Sequence, residues 1–155
     1  MTERSKGAAP TLRRTAWHES GHAVVAWDRA LIVTLVSIKP NDRSFGRATH
    51  TPAGDPSIAA ERERENIVAM GGWAGELASG EANDGTTYDS GDLRWMLSHI
   101  PEDRIAIELG WAESEAQRIV AANIGRVERL ANKLLLQREL ADACEIIKII
   151  EGPQN

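Results

Sequence analysis

The sequence predicts a mainly α-helical domain of the α+β class with one small antiparallel sheet, on three observations. Apolar residues recur at helical spacing along Ile67, Met70, Trp73, Ala74 and Leu77, and again along Val120, Ile124, Val127, Ala131 and Leu134. The β-branched, alternating segments 31–39 and 45–51 are joined by the turn-forming run Pro40-Asn-Asp-Arg-Ser44. Ahead of them, residues 16–27 read Ala-Trp-His-Glu-Ser-Gly-His-Ala-Val-Val-Ala-Trp, a run of helical character that carries the most chemically loaded side chains of the chain.

Residues 1–10, small and polar and ending at Pro10, read as a flexible tail, which leaves a single domain over 11–151. Thr11 is placed to N-cap the first helix, which runs to about Ala30. The two strands follow, the second stopped by Pro52 and leaving an open sheet edge beside the first helix. Such an edge either pairs with an extended peptide or merely covers the helix. Asp55-Pro56 reads as an N-cap and first helical residue, and a helix is predicted over 58–78. Gly71-Gly72 interrupts that helix at a cost of about 1 kcal/mol per glycine, which implies a close helix crossing or a tight approach to a site; Gly80 marks the end. Residues 81–91 are a loop by composition, and Ser90 or Asp92 opens a helix through Ile100. Pro101 restarts or kinks the chain, with Gly110 as a stop. Ser114-x-x-Gln117 is a capping-box pattern for a long amphipathic helix through Leu134, and 141–150 form an apolar terminal helix.

Composition narrows the function. The net charge of −5 with no Lys/Arg cluster argues against nucleic acid, and Cys144, the single cysteine, excludes an intrachain disulfide and a thiolate zinc site. No apolar run reaches the ~18 residues of a membrane span, and the N-terminus lacks the apolar core of a signal peptide, so a soluble, cytoplasmic chain is expected. At 155 residues the chain is too short to combine a peptidase with an ATPase module, which makes any ATP-driven partner a separate chain.

His18-Glu19-x-x-His22 puts two imidazoles on one helix face, where each can direct a nitrogen at a single metal ion, zinc by preference. Glu19, about 100° further round, stands beside the metal as a base for water rather than as a ligand. The same spacing also arises as an exposed polar stripe, but Ala16, Ala23, Val24, Val25 and Trp27 make this a half-buried helix, and Gly21 lets another element approach it. A catalytic zinc takes three protein ligands. Val25 and Asp28 exclude the extended H-E-x-x-H-x-x-G-x-x-H arrangement. The downstream candidates are His50, Glu76, Asp89, Asp92 and His99, with Glu61, Glu63 and Glu65 read as a solvated helix face and His50 and His99 more simply structural or solvated. Asp92 sits at a loop-to-helix junction that would fix a short side chain, though a first-turn acid is also what the helix dipole favours.

The order of these pieces resembles the peptidase domain of the FtsH-type ATP-dependent zinc metalloproteases. His18-Glu-Ser-Gly-His22-Ala is similar to that family's HEAGHA, and Leu35-Val-Ser-Ile-Lys-Pro40 with Gly46-Arg-Ala-Thr-His-Thr-Pro52 to its strand and return strand. Met70-Gly-Gly-Trp-Ala-Gly-Glu76 resembles its GGRxAE segment, and Thr86-Thr-Tyr-Asp-Ser-Gly-Asp92-Leu93 its TTGASNDL. The resemblance covers residues 12–150. It implies a zincin-like helical domain with a small sheet after the HExxH helix, Asp92 as third zinc ligand beside His18 and His22, and Glu76 as a support near the metal; by itself Glu76 reads as an ordinary helix acid. Trp73 stands where the family has arginine, Gly91 where it has asparagine, and the ATPase and membrane segments of the family are not among these residues.

A stand-alone zinc endopeptidase acting on unfolded or flexible polypeptide is therefore expected, with Glu19 moving the proton from the attacking water to the leaving amine. Two rivals stay open: a zinc-binding module for a peptide or protein partner with weak or no hydrolysis, and a regulatory protease dedicated to one partner. The oligomeric state is not legible.

Overall fold

The computed structural model describes residues 9–81 and 90–153. Residues 1–8 of the tail expected over 1–10, and the loop segment 82–89 with Thr86, Thr87, Tyr88 and the candidate ligand Asp89, lie outside the described residues. The elements are α1 (Leu12–Asp28), β1 (Val33–Ser37), β2 (Arg47–His50), α2 (Ala59–Ala78), α3 (Ser90–His99), a 3₁₀ turn (Glu102–Arg104), α4 (Ile105–Ala122), α5 (Ile124–Gln137), β3 (Glu139–Leu140) and α6 (Ala143–Glu151). The predicted mainly helical class with a small antiparallel sheet is what the chain adopts. Among the described residues no helix is long and apolar enough to cross a membrane.

The first helix is the centre of the fold. Thr11 caps it, its hydroxyl accepting from the Arg14 N–H, and every residue from Thr15 to Ala26 is buried. A helix covered on all sides needs neighbours all round, and α2, α4, α5 and the sheet supply them. The α1–α2 crossing is a backbone contact. A Cβ added to Gly21 would run into the Gly71 carbonyl oxygen, one added to Gly71 would stand 2.8 Å from the Gly21 carbonyl oxygen, and one added to Gly75 would meet the Trp17 carbonyl. The expected close crossing is thus real, and Gly71 and Gly75 serve it, while Gly72 faces the two imidazoles; neither Gly71 nor Gly72 interrupts the helix, because α2 is continuous. Neither backbone can yield locally, so Gly21→Ala is expected to lower the unfolding free energy by about 1–3 kcal/mol or more, the usual cost of overpacking, read from a urea melt against wild type.

The sheet has the order β2-β1-β3. β1 pairs antiparallel with β2, Val36 opposite Ala48 and Ser37 opposite Arg47, as the hairpin expectation requires. The short third strand was not anticipated. Arg138 ends α5 in the left-handed region (φ 67°) and its carbonyl accepts from the Ile38 N–H at 2.8 Å, which turns Glu139 and Leu140 onto β1. The edges of the sheet are therefore β2 and the two-residue β3.

Three helix boundaries differ from expectation. Asp55 does not cap α2: its carboxylate accepts from the Ser57 N–H in a separate turn, and α2 starts at Ala59. Gly110 stops nothing, and α4 runs through it and through Ser114 and Gln117, which are mid-helix rather than a capping box. The break falls at Asn123. Its side-chain amide donates to the Ile119 carbonyl at 2.9 Å, and its own carbonyl accepts from the Arg126 and Val127 N–H groups, so one residue satisfies the end of α4 and the start of α5. The apolar stripe survives the break, with Val120, Val127, Ala131 and Leu134 buried, while Ile124 turns outward.

Arg62, buried in the α2–α4 seam, grips Glu108 with two hydrogen bonds of 2.9 and 2.7 Å. These bonds, with help from Arg104 and against the cost of burial, hold the Glu108 carboxyl below the usual glutamate range. A depressed folded pKa contributes stability above the unfolded value and loses it as pH falls through the folded one. Glu108→Gln should therefore cost about 1.5–3 kcal/mol at pH 7. Urea melts at pH 7 and near pH 3 should show the gap to wild type closing on acidification.

Candidate metal centre

His18 and His22 lie one turn apart on the buried α1, and Asp92 reaches them from the first turn of α3. The His22 Nε2 stands 3.0 Å from the His18 Nε2 and 3.1 Å from the Asp92 Oδ2, and His18 Nε2 is 3.8 Å from the same oxygen. The three side chains bring ligand atoms within 4.8 Å of one another. Atoms held about 2.0–2.1 Å from a tetrahedral ion are separated by about 3.3 Å, so the observed spread brackets what one ion requires.

The second nitrogen of each ring faces an acceptor. His22 Nδ1 donates to the Val68 carbonyl at 2.7 Å, which leaves Nε2 as a lone-pair donor to an ion. His18 Nδ1 faces the Glu76 Oε1 at 3.5 Å, and that oxygen accepts from the Arg14 Nε at 3.0 Å. Arg14, Glu76 and His18 form a chain that orients the second imidazole. Gly72 completes the cradle: a Cβ there would stand 2.5 Å from the His18 Nε2 and press on the His22 Nε2. The open space in front of both nitrogens exists because residue 72 has no side chain.

The electrostatics match a cation-binding site. Burial disfavours charge on His22, but Asp92, through its charge and its hydrogen bond, then Glu19 and the Val68 carbonyl outweigh it and push the pKa up to about 10. Asp92 is itself held below the usual aspartate range, burial being overcome by His22 and His18. Glu76 is likewise depressed, by His18 and Arg14 against burial. A pocket that draws a proton onto His22 against burial is one in which acidic groups favour positive charge.

Glu19 is 5% exposed and borders a cleft of about 270 Å³ above the cluster. Its side chain packs on the backbone of Gly46, where an added Cβ would stand 2.9 Å from Glu19 Cγ. Arg47, Ala48 and His50 of β2 form one wall of the cleft, and Val68, Ala69 and Trp95 the other. A strand edge, a buried carboxylate and a cluster of three side chains that could hold a metal ion therefore face the same space.

Of the other candidates, His99 stacks on Trp95 with ring centroids 4.3 Å apart and stays out of the cluster. His50 borders the cleft but its nitrogens face the Thr51 carbonyl and Glu65. The expected solvated acidic face holds only in part. Glu61 accepts from the Asp55 N–H and Glu63 from the Trp111 indole, but Glu65 turns into the cleft. Glu65 and Trp95 were missed as cleft residues. The legible signal was spacing: Glu65 precedes Gly72 by seven residues and Trp95 follows Asp92 by three, which shares their helix faces.

A family model described as Peptidase family M41 matches residues 9–96. The chain is 39% identical over 186 residues to the ATP-dependent zinc metalloprotease FtsH 1 of Rhodopirellula baltica, covering 90% of this chain and 27% of that protein. It is 32% identical over 148 residues to the ATP-dependent zinc metalloprotease FtsH 1 of Salinibacter ruber, covering 91% and 20%. A third relative, the chloroplastic/mitochondrial ATP-dependent zinc metalloprotease FTSH 9 of Oryza sativa subsp. japonica, is 29% identical over 175 residues, covering 91% and 22%. The chain spans between a fifth and just over a quarter of the length of these relatives.

Proposed function

This chain belongs to peptidase family M41, and from that premise we propose that it holds one zinc ion on His18, His22 and Asp92 and hydrolyses peptide bonds in unfolded or flexible polypeptide segments. The observation that carries the reading is the convergence of three ligand atoms within 4.8 Å beneath a cleft bordered by a buried glutamate. When bound, zinc supplies a Lewis acid that polarises the scissile carbonyl and acidifies water.

The remaining work falls to this chain's own groups. His22, tied to the Val68 carbonyl, and His18, backed by Glu76 and Arg14, present fixed Nε2 atoms. Glu19 takes the proton from the attacking water and returns it to the leaving amine nitrogen. The open edge of β2 offers backbone groups to an extended segment, which lies across the cleft as an added strand. That geometry admits unfolded chain; a folded substrate needs ATP-driven or regulatory help to open it.

The test measures zinc per chain together with turnover of unstructured casein, with and without chelator, in wild type and Asp92→Ala. One zinc and chelator-sensitive cleavage are expected of wild type, and loss of both of Asp92→Ala. One zinc with no cleavage would instead leave a peptide-binding metal module.

A further inference from the structure

The cleft contains an acidic group that neither metal binding nor proton transfer uses. Glu65, Ala69 and Gly72 follow one another at i, i+4 and i+7 on one face of α2, with Gly72 at the histidine nitrogens. Glu65 is therefore about 10 Å along the helix from the metal centre, towards the N-terminus of α2. Its Oε1 is fixed by accepting from the Ala53 N–H at 2.9 Å, and its side chain is only 20% exposed.

The neighbouring cations are engaged elsewhere. Arg62 is bound to Glu108, Arg64 donates to the Ala53 and Arg29 carbonyls, and Arg47, which lines the cleft, pairs with Glu139 at 3.5 Å. Among the described residues no Lys or Arg forms an ion pair with Glu65; the imidazole of His50 faces it, Nε2 to Oε2 3.4 Å. His50 Nδ1 lies 2.7 Å from the Thr51 carbonyl. In the neutral ring that donates from Nδ1 to that carbonyl, Nε2 is an acceptor, and it faces a second acceptor, the Glu65 carboxylate. Two converging acceptors, with Val68, Ala69 and Trp95 as apolar walls of the same cleft, fit an aliphatic stem ending in a cationic donor.

We propose that the Glu65–His50 end of the cleft is a cation-accepting subsite that selects substrates carrying Lys or Arg near the scissile bond. The proposal rests on the peptidase reading above and adds a substrate preference to it. Glu65 is the specificity determinant, and His50 Nε2 is the second acceptor.

The experiment uses zinc-loaded full chain and unstructured peptides that differ at one position, Lys against norleucine, with that position stepped along the sequence. Cleavage is followed by mass spectrometry, and affinity by fluorescence anisotropy on the Glu19→Gln variant. At one position Lys should exceed norleucine by about tenfold in kcat/KM and bind with a Kd about tenfold lower. Glu65→Gln, which keeps an acceptor for the Ala53 N–H, should bring both ratios to within about twofold, and Glu65→Lys should turn the preference towards Glu. Ratios near one in wild type, or ratios that Glu65→Gln leaves intact, overturn the subsite. The two readings fail separately: cleavage without a Lys preference removes the subsite and keeps the peptidase, whereas Lys-selective, Glu65-dependent binding without cleavage keeps the subsite and removes the peptidase.

Discussion

Glu19→Gln is expected to reduce peptide hydrolysis by at least 10²–10⁴-fold while zinc content stays near one per chain. Glutamine has nearly the same shape, so the packing of residue 19 against Gly46 is preserved. What disappears is a group able to accept and return a proton. Glu19 sits one residue from His18 yet stays out of the ligand cluster, which comprises His18, His22 and Asp92. Its loss should therefore leave the ligands in place. Metal analysis beside single-turnover cleavage of an unstructured peptide separates the two effects. A Glu19→Gln protein that retained full hydrolysis with zinc bound would end the assignment of Glu19 as base.

How much of this was legible depends on the range of the interactions involved. The α1 motif, its Thr11 cap and the hairpin are local patterns, and they stand where the periodicity puts them. The crossing of α1 on α2 was also legible, because glycines in a helix interior have no local reason to be there. Helix boundaries in the C-terminal half were not. Gly110 looks like a stop, but its helix begins after the 3₁₀ turn and ends at Asn123 for reasons that lie at its ends. The strand at Glu139 and Leu140 depends on a partner some hundred residues earlier, and nothing in two residues announces it.

The site shows the same division. His18, Glu19 and His22 follow from helical spacing alone. Asp92 could be ranked among several acids but not chosen by spacing, since its proximity to His22 is set by how α3 lies beside α2. Glu65 was misjudged for a related reason. Glutamates on an amphipathic helix are normally solvated, and only the sheet edge lying opposite turns this one into a cleft wall.

The neighbouring glycines of α2 allow the metal site to be separated from the fold. Gly71 faces the backbone of Gly21, so a side chain there strains the crossing; Gly72 faces only the ends of two imidazoles. In Gly72→Ala the methyl would stand 2.5 Å from His18 Nε2, in the space an ion about 2 Å from both nitrogens must occupy. The rings can swing aside to admit the methyl, but then they no longer converge. Alanine also favours a helix interior over glycine by about 1 kcal/mol, so the metal-free variant should melt no lower than metal-free wild type. Wild type at a hundredfold excess of zinc over its Kd gains about 2.7 kcal/mol, roughly 5–10 °C for a domain of this size. Gly72→Ala should show no such rise and bind close to no zinc, in calorimetry and metal analysis alike. If it instead took up one zinc with the wild-type thermal shift, the ion would have to sit away from the space between the two Nε2 atoms, and the ligand assignment would have to be redrawn around Asp92 and groups other than this pair.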